Sequence, residues 1–203
     1  MHVQSLDPAE LRVLGCLIEK QRTTPEQYPL TLNALRLACN QSTSRDPVTA
    51  YDEETVRAAA QSLGTRGYAR LATGPGSRTP KYRQLFSEAL DLMPAEVSIL
   101  AVLMLRGPQT AAELKTRTAR LHEIDDVAPV LASLGEKELV ERLPRQPGRR
   151  EERWGHLVGE AGAEQPPHTP SDILPETSAP LEQRLEQLEE RVAELERLLA
   201  AGT

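Results

Sequence analysis

Residues 6–14 read LDPAELRVL and residues 92–100 read LMPAEVSIL. Pro8/Pro94, Ala9/Ala95, Glu10/Glu96 and Leu14/Leu100 coincide at an offset of 86. Each copy carries the signature of a helix start. Proline at the first helical position has no N–H to lose, and a glutamate in the first turn suits the positive end of the helix dipole. Leu11, Leu14, Leu17 and Ile18 then fall on one helical face, as do Val97, Leu100, Leu103 and Met104. A repeated domain-opening helix implies two similar domains in tandem.

Working outward, each copy is followed by the same order of elements. In the first, a helix over 8–21 leads to TTPEQYPLTLNAL, where Pro25 and Pro29 forbid a continuous helix and Thr31 caps a short one over 32–39. Asp52 caps a third helix whose apolar set is Val56, Ala59, Ala60 and Leu63, ending before Gly67. YARLA and KYRQL bracket TGPGSRTP as a β-hairpin. In the second copy the helix over 95–105, a Thr110-capped helix and a third helix with Val127, Val130, Leu131 and Leu134 lead to LVERLP and REERWGHL around RQPGR. The offset shrinks from 86 to 79 (Thr31/Thr110) to 71 (Val56/Val127), so the loops differ and the elements do not.

Helix–helix–helix–hairpin is the winged-helix order. The expected fold is mainly α with small β-hairpins, an α+β class. It comprises winged-helix domains over 1–90 and 91–160, a Pro-rich disordered linker over 161–179 and a heptad coiled-coil helix over 180–201. With one Phe, one Trp and four Tyr in 203 residues, the cores must be built from Leu, Val, Ile and Ala.

The net charge of −6 divides unevenly. Residues 1–87 carry 11 Lys/Arg against 8 Asp/Glu, residues 88–160 carry 10 against 13, and residues 161–203 carry 3 against 9. The acidity lies mostly in the tail, so the whole-chain charge does not argue against a polyanion partner for the first domain. Cys16 and Cys39 sit in apolar surroundings and read as reduced core thiols of a cytoplasmic protein. Two Cys and four scattered His show no metal-ligand spacing, and no cofactor is expected. The N-terminal MHVQSLDPAE lacks a signal-peptide pattern, and the longest strongly apolar run, over 97–105, is too short to span a bilayer, so no membrane partner is expected.

No nucleophile–base set, phosphate-binding glycine loop or paired-carboxylate motif is recognisable, and the chain is not expected to be an enzyme. His122-Glu123 beside Asp125-Asp126, the densest ionisable cluster, reads as an acidic helix start. The basic wings point to double-stranded DNA: Arg70, Arg78, Lys81 and Arg83 in the first, and Arg142, Arg145, Arg149, Arg150 and Arg153 in the second. Arg57 and Gln61 are the obvious base readers on the first domain's third helix. Against this, the third helices open on Asp52-Glu53-Glu54 and Asp125-Asp126, which repel phosphate. The 40–52 loop concentrates hydrogen-bonding groups in Asn40, Gln41, Arg45 and Asp46. It is either a binding loop or one in which Asn40 ends the second helix and Arg45 pairs with Asp46.

LGCLIEKQRTTPEQYPLTLNALRLACNQSTSRDPV, together with LPRQPGRREERWGHL, resembles the YceH-like family of bacterial cytosolic proteins with tandem winged-helix domains. The resemblance covers about residues 5–158. It implies the fold and brings no established activity and no catalytic residue. Where that family more usually has a basic residue or Asn after the NQ pair, this chain has Ser42 and Thr43. Two functions follow as expectations. One is a dimeric DNA-binding protein or regulator that contacts DNA through its wings. The other is an adaptor whose tandem winged helices bind a partner protein without DNA.

In LEQRLEQLEERVAELERLLA, Leu181, Leu185, Leu188, Val192, Leu195 and Leu199 alternate spacings of four and three, a heptad seam. In a parallel pair Arg184 faces Glu189 and Arg191 faces Glu196, whereas an antiparallel pair sets like charges together. The pattern specifies parallel self-association, as a homodimer or a trimer; a single amphipathic helix folded back on the domains is the alternative. Analytical ultracentrifugation of the full chain and of a version ending at Glu160 separates the two. The full chain should be the heavier species at tens of micromolar by at least a whole protomer, and equal monomer masses would exclude the coiled coil.

Overall fold

The computed structural model describes residues 5–72, 79–144 and 151–159. Helix α1 (Pro8–Thr23) begins where the repeat does: Asp7 Oδ1 accepts the Glu10 N–H at 2.8 Å and Glu10 Oε2 accepts the Asp7 N–H at 2.8 Å. This reciprocal cap satisfies two backbone donors that a helix start leaves orphaned. Leu11, Val13, Leu14, Cys16, Leu17 and Ile18 are all buried, so α1 is sheathed on most of its circumference rather than along one stripe. A two-residue strand, β1 (Leu30–Thr31), runs straight into α2 (Leu32–Cys39), whose N-terminal Ala34 N–H is taken by Thr31 Oγ1. Asp52 caps α3 (Glu53–Thr65) through the Thr55 N–H at 2.8 Å, and Val56, Ala59, Ala60 and Leu63 are its buried face. Strands β2 (Ala69–Ala72) and β3 (Lys81–Gln84) form the hairpin, and β1 pairs with the far side of β3, giving an antiparallel sheet in the order β1-β3-β2. A single-turn helix α4 (Phe86–Ala89) closes the first repeat, with Phe86 edge-on to Tyr68 at 5.1 Å.

The second repeat follows as α5 (Pro94–Arg106), α6 (Ala111–Thr118), α7 (Val127–Glu136) and the hairpin β4 (Val140–Leu143) and β5 (Arg153–His156). Thr110 caps α6 as the sequence predicts, and Asp126 caps α7 through the Ala128 N–H at 3.0 Å. Gln109 and Trp154 exchange both backbone hydrogen bonds at 3.0 and 2.7 Å, in the place where β1 meets β3 in the first repeat. The chain is therefore a mixed α+β protein in which helix–helix–helix–hairpin occurs twice. β1 and α4 are additions to the sequence reading. A two-residue strand between Pro29 and a helix cap shows no alternation, and one turn of helix shows no period. The linker over 161–179 and the heptad helix over 180–201, with Leu181, Leu185, Leu188, Val192, Leu195 and Leu199, lie outside the described residues.

The two opening glutamates do more than cap. Glu10 and Glu96 are both buried, and each receives a cation from the C-terminal end of its own repeat's third helix. Arg66 Nε lies 3.1 Å from Glu10 Oε1, and Lys137 Nζ lies 2.7 Å from Glu96 Oε2. Ser133 Oγ adds a bond to Glu96 Oε1 at 2.8 Å, and the Met93 N–H donates to Oε2 at 2.7 Å. Burial alone would push the Glu96 carboxyl up, but Lys137, the Met93 N–H and Ser133 together hold it below its ordinary value.

The repeats meet helix to helix. Gly15 of α1 lies against α5 so closely that a Cβ there would meet Leu105 Cγ and Cδ2 at 2.9 Å. A single set of buried apolar side chains runs through both repeats, from Leu14 and Leu17 to Leu100 and Leu103. The two ends are clipped as well, since the Leu6 N–H donates to the Val158 carbonyl at 3.1 Å. Among the described residues no helix is long and apolar enough to cross a membrane.

Leu63 and Leu134 are each 0% exposed on the inner faces of α3 and α7. Truncation of either to Ala should cost about 2–5 kcal/mol in chemical denaturation, and a loss below about 0.5 kcal/mol would contradict the packing of that helix. Glu96→Gln should cost about 1–3 kcal/mol at neutral pH, as a charge-assisted bond is lost. Because the folded carboxyl sits below its ordinary 4.5, the wild-type advantage is full above that pH and fades as pH falls through the folded value. Denaturation curves of both proteins from neutral to acid pH should converge.

Candidate nucleic-acid interface

The register of the first hairpin sorts its side chains. Ala69 faces Gln84 and Leu71 faces Tyr82, while Arg70 faces Arg83 and Ala72 faces Lys81. Alternation puts Gln84 and Tyr82, both buried, on the inner face. Arg70, Lys81 and Arg83 therefore share the other face. A cross-strand Arg–Arg pair is unfavourable by itself. Glu88 relieves part of it by pairing with Arg83, whereas Arg70 is exposed and, like Lys81, forms no ion pair among the described residues. Arg78 lies outside the described residues.

The inner face is fixed by polar contacts of its own. The Gln84 N–H donates to the Tyr28 hydroxyl at 2.7 Å, and Gln84 Nε2 donates to Gln21 Oε1 at 2.8 Å. Burial pushes the Tyr28 phenol up to about 12 in spite of the Gln84 bond, so it stays protonated. These bonds anchor β3 to the end of α1 and hold the cationic face outward.

The third helix contributes less than its sequence promises. Arg57 and Gln61 are exposed on α3, but Arg57 pairs with Glu53 one turn back, and Asp52, Glu53 and Glu54 are exposed at the helix start. On α7 the exposed positions are Ala128, Pro129, Ala132, Gly135 and Glu136, and Lys137 is engaged with Glu96. In the second hairpin every described arginine is occupied. Arg142 pairs with Glu152 at 3.1 Å and stacks over Trp154 at 5.3 Å from the ring centroid. Arg153 Nη2 donates to the Pro108 carbonyl at 2.6 Å and lies 3.6 Å from Glu113. Arg145, Arg149 and Arg150 lie outside the described residues. His156 Nδ1 is buried with no hydrogen-bond partner among the described residues, and burial pushes the imidazole down to about 4.

The 40–52 loop is a brace. Asn40 Nδ2 donates to the Tyr51 carbonyl at 2.7 Å, and its Oδ1 accepts the Tyr51 N–H at 2.8 Å, closing the loop on itself. Gln41 donates to the Thr43 carbonyl. Arg45 does not pair with Asp46. It is buried and lies 2.6 Å from Glu19 of α1, with further bonds to the Ala38 and Ser44 carbonyls. Asp46 is exposed, and its N–H donates to the Leu105 carbonyl at the end of α5. Arg12, also buried, donates to the Cys39 and Pro47 carbonyls. Beneath it Cys16 and Cys39 are buried free thiols, and a hydrogen bond to Cys16 together with burial pushes the Cys39 thiol up. Glu19 is the residue that sequence reasoning missed. Its signal is a carboxylate on a helix whose neighbouring turns are apolar.

A family model described as "Protein of unknown function, DUF480" matches residues 6–149, from the start of α1 past the end of β4. A UPF0502 protein of Geobacter sulfurreducens is 52% identical over 158 residues, covering 75% of this chain and 72% of its own. One from Solibacter usitatus is 46% identical over 195 residues (95% and 93% covered), and one from Pectobacterium atrosepticum is 43% identical over 207 residues (97% and 97%). With the repeated helix starts and both hairpins inside or beside the matched span, the chain belongs to the DUF480 family, whose bacterial relatives here carry the UPF0502 name.

Proposed function

We propose that this protein is a tandem winged-helix DNA-binding protein that grips the duplex backbone through the outer face of its first hairpin. The observation that carries the reading is the register-enforced juxtaposition of Arg70, Arg83 and Lys81 on one face of a two-stranded ribbon. Like charges side by side are unfavourable until a polyanion lies across them, and a phosphate backbone supplies one. The acidic opening of α3 keeps that helix from deep entry into a major groove, so contacts fall on phosphates and sequence selectivity is weak. Self-association through the heptad tail would bring two such hairpins to one duplex and multiply a modest affinity. The role is binding in the cytoplasm, not catalysis.

A specific observation favours a second reading for the other repeat. The outward positions of α7 are small and nearly uncharged, and its neighbouring cation is committed internally. Such a surface suits a protein chain better than a phosphate backbone, as in an adaptor.

Duplex binding at several salt concentrations tests the first reading. The wild type should bind at low salt with a log K that falls linearly against log salt. Arg70→Ala/Lys81→Ala should weaken binding on all sequences and flatten the slope by about 0.9 per lost phosphate contact. Unchanged affinity and slope would rule out the hairpin. Absence of binding by the wild type on random and genomic duplexes alike would leave the adaptor, which native co-purification with and without nuclease then tests.

A further inference from the structure

Where the repeats join, arginines outnumber the carboxylates that hold them. Glu19 takes Arg45 on both oxygens and shares Oε1 with Arg120. Glu113 takes Arg117 at 3.1 Å and Arg153 at 3.6 Å. Arg106, at the end of α5, has no carboxylate partner among the described residues, and its Nη2 donates to Ser44 Oγ at 2.7 Å. Asp46 lies close by through its backbone bond to Leu105 but forms no ion pair with any of them. Ser44 itself is held at φ 60°, a left-handed conformation uncommon for a side-chain-bearing residue. It is kept there by Arg45 Nη1 on its carbonyl at 2.8 Å and Arg106 on its hydroxyl.

The cluster has a floor and a rim. Glu19 and Arg45 are sealed, with side chains 1% and 0% exposed. Above them Arg106 and Arg117 are half-buried and Arg120 is about half exposed. Burial lowers Arg106, and the neighbouring Arg117 and Arg120 lower it further. A guanidinium does not give up its proton, so all three charges persist, and Arg106 has no carboxylate of its own among the described residues. Arg106 in the last turn of α5 suits the helix dipole, yet the Leu105 carbonyl at that end is already taken by the Asp46 N–H. Three guanidiniums from two helix ends and a hydroxyl from a left-handed loop residue make a donor set for tetrahedral oxyanions, which accept several N–H bonds at once.

We propose that Arg106, Arg117 and Arg120, with the Ser44 hydroxyl, form a phosphate-binding site at the junction of the two repeats. The phosphate group belongs either to a small phosphorylated ligand or to a nucleic-acid backbone. The site is separate from the hairpin face and does not depend on it. Occupancy would tie the 40–52 loop to the ends of α5 and α6, so a bound anion stabilises the joint between the repeats.

Isothermal titration and thermal melting of the full chain with pyrophosphate, and binding of a short duplex in parallel, test the site. Pyrophosphate should bind the wild type near one per chain and raise its melting temperature. Arg106→Gln and Arg117→Gln leave the Glu19–Arg45 floor and its pairing with Arg120 in place, so their ligand-free melting should stay close to wild type. Each should weaken the phosphate probe by about tenfold or more. Arg106→Lys should recover part of that loss, and Arg70→Gln/Lys81→Gln should bind pyrophosphate as the wild type does. Pyrophosphate binding lost in the junction variants with duplex binding intact identifies a small ligand. Duplex binding lost in those same variants identifies a backbone phosphate. If neither probe binds the wild type, or both bind Arg106→Gln and Arg117→Gln undiminished, the site does not exist. The hairpin reading fails separately, through duplex binding undiminished in Arg70→Gln/Lys81→Gln.

Discussion

A buried carboxylate at the start of each repeat organises the half of the molecule that follows it. Glu10 and Glu96 sit one turn into their helices, where each closes a cap on the preceding backbone N–H. A glutamate in that position would ordinarily end in solvent. Here each is buried and reaches a cation at the far end of the third helix, Arg66 or Lys137. One residue thereby fixes the start of the first helix and the end of the third relative to each other. The hairpin that leaves the third helix inherits that position. Either Arg or Lys serves as the cation, but removing it would leave a buried carboxylate without its partner.

The second constraint is the joint. Close approach of α1 and α5 at Gly15 buries apolar surface that neither repeat could cover alone, and small domains have little core to spare. Glu19, on the last buried turn of α1, then recruits Arg45 from a loop and Arg120 from the second repeat. A buried ion pair of this kind contributes little net stability but penalises alternatives in which the helices slide, because any slide leaves a charge unpaired. The 40–52 loop is long because it must travel from the end of α2 to this joint and back to the cap of α3. In the second repeat the equivalent connection is short.

Most of the fold was legible because local chemistry and the repeat agree. Pro8 and Pro94, Thr31 and Thr110, and Asp52 and Asp126 each mark a helix start, and the spacing of Val56 to Leu63 recurs from Val127 to Leu134. Boundaries matched to within about two residues, the usual slack at fraying ends. β1 escaped notice because its existence depends on β3, some fifty residues later, and not on its own two residues. The site was less legible for a related reason. Basic residues could be counted on the hairpins, but whether each was free depended on partners that only the fold brings beside it: Glu88 for Arg83, Glu113 and the Pro108 carbonyl for Arg153, Trp154 and Glu152 for Arg142. Arg45 was singled out for its loop, yet its partner Glu19 is hidden in an apolar helix, and Arg106 and Arg120 matter only through their nearness to it.

The two repeats share a scaffold and have drifted apart in what they present. In the first hairpin the outward register carries Arg70, Arg83 and Lys81 against one acid, and the adjacent helix opens on acids. In the second, Arg142 stacks on an aromatic ring and Arg153 is turned inward to the Pro108 carbonyl. That inward turn has a consequence for the joint. Arg153 shares Glu113 with Arg117, so the carboxylate beside Arg117 is divided between a cation of the second hairpin and one of α6. Among the cations of the described structure two groups stand out, the outer face of the first hairpin and the junction. Both are set by pairings made within the chain, not by the number of arginines in either repeat.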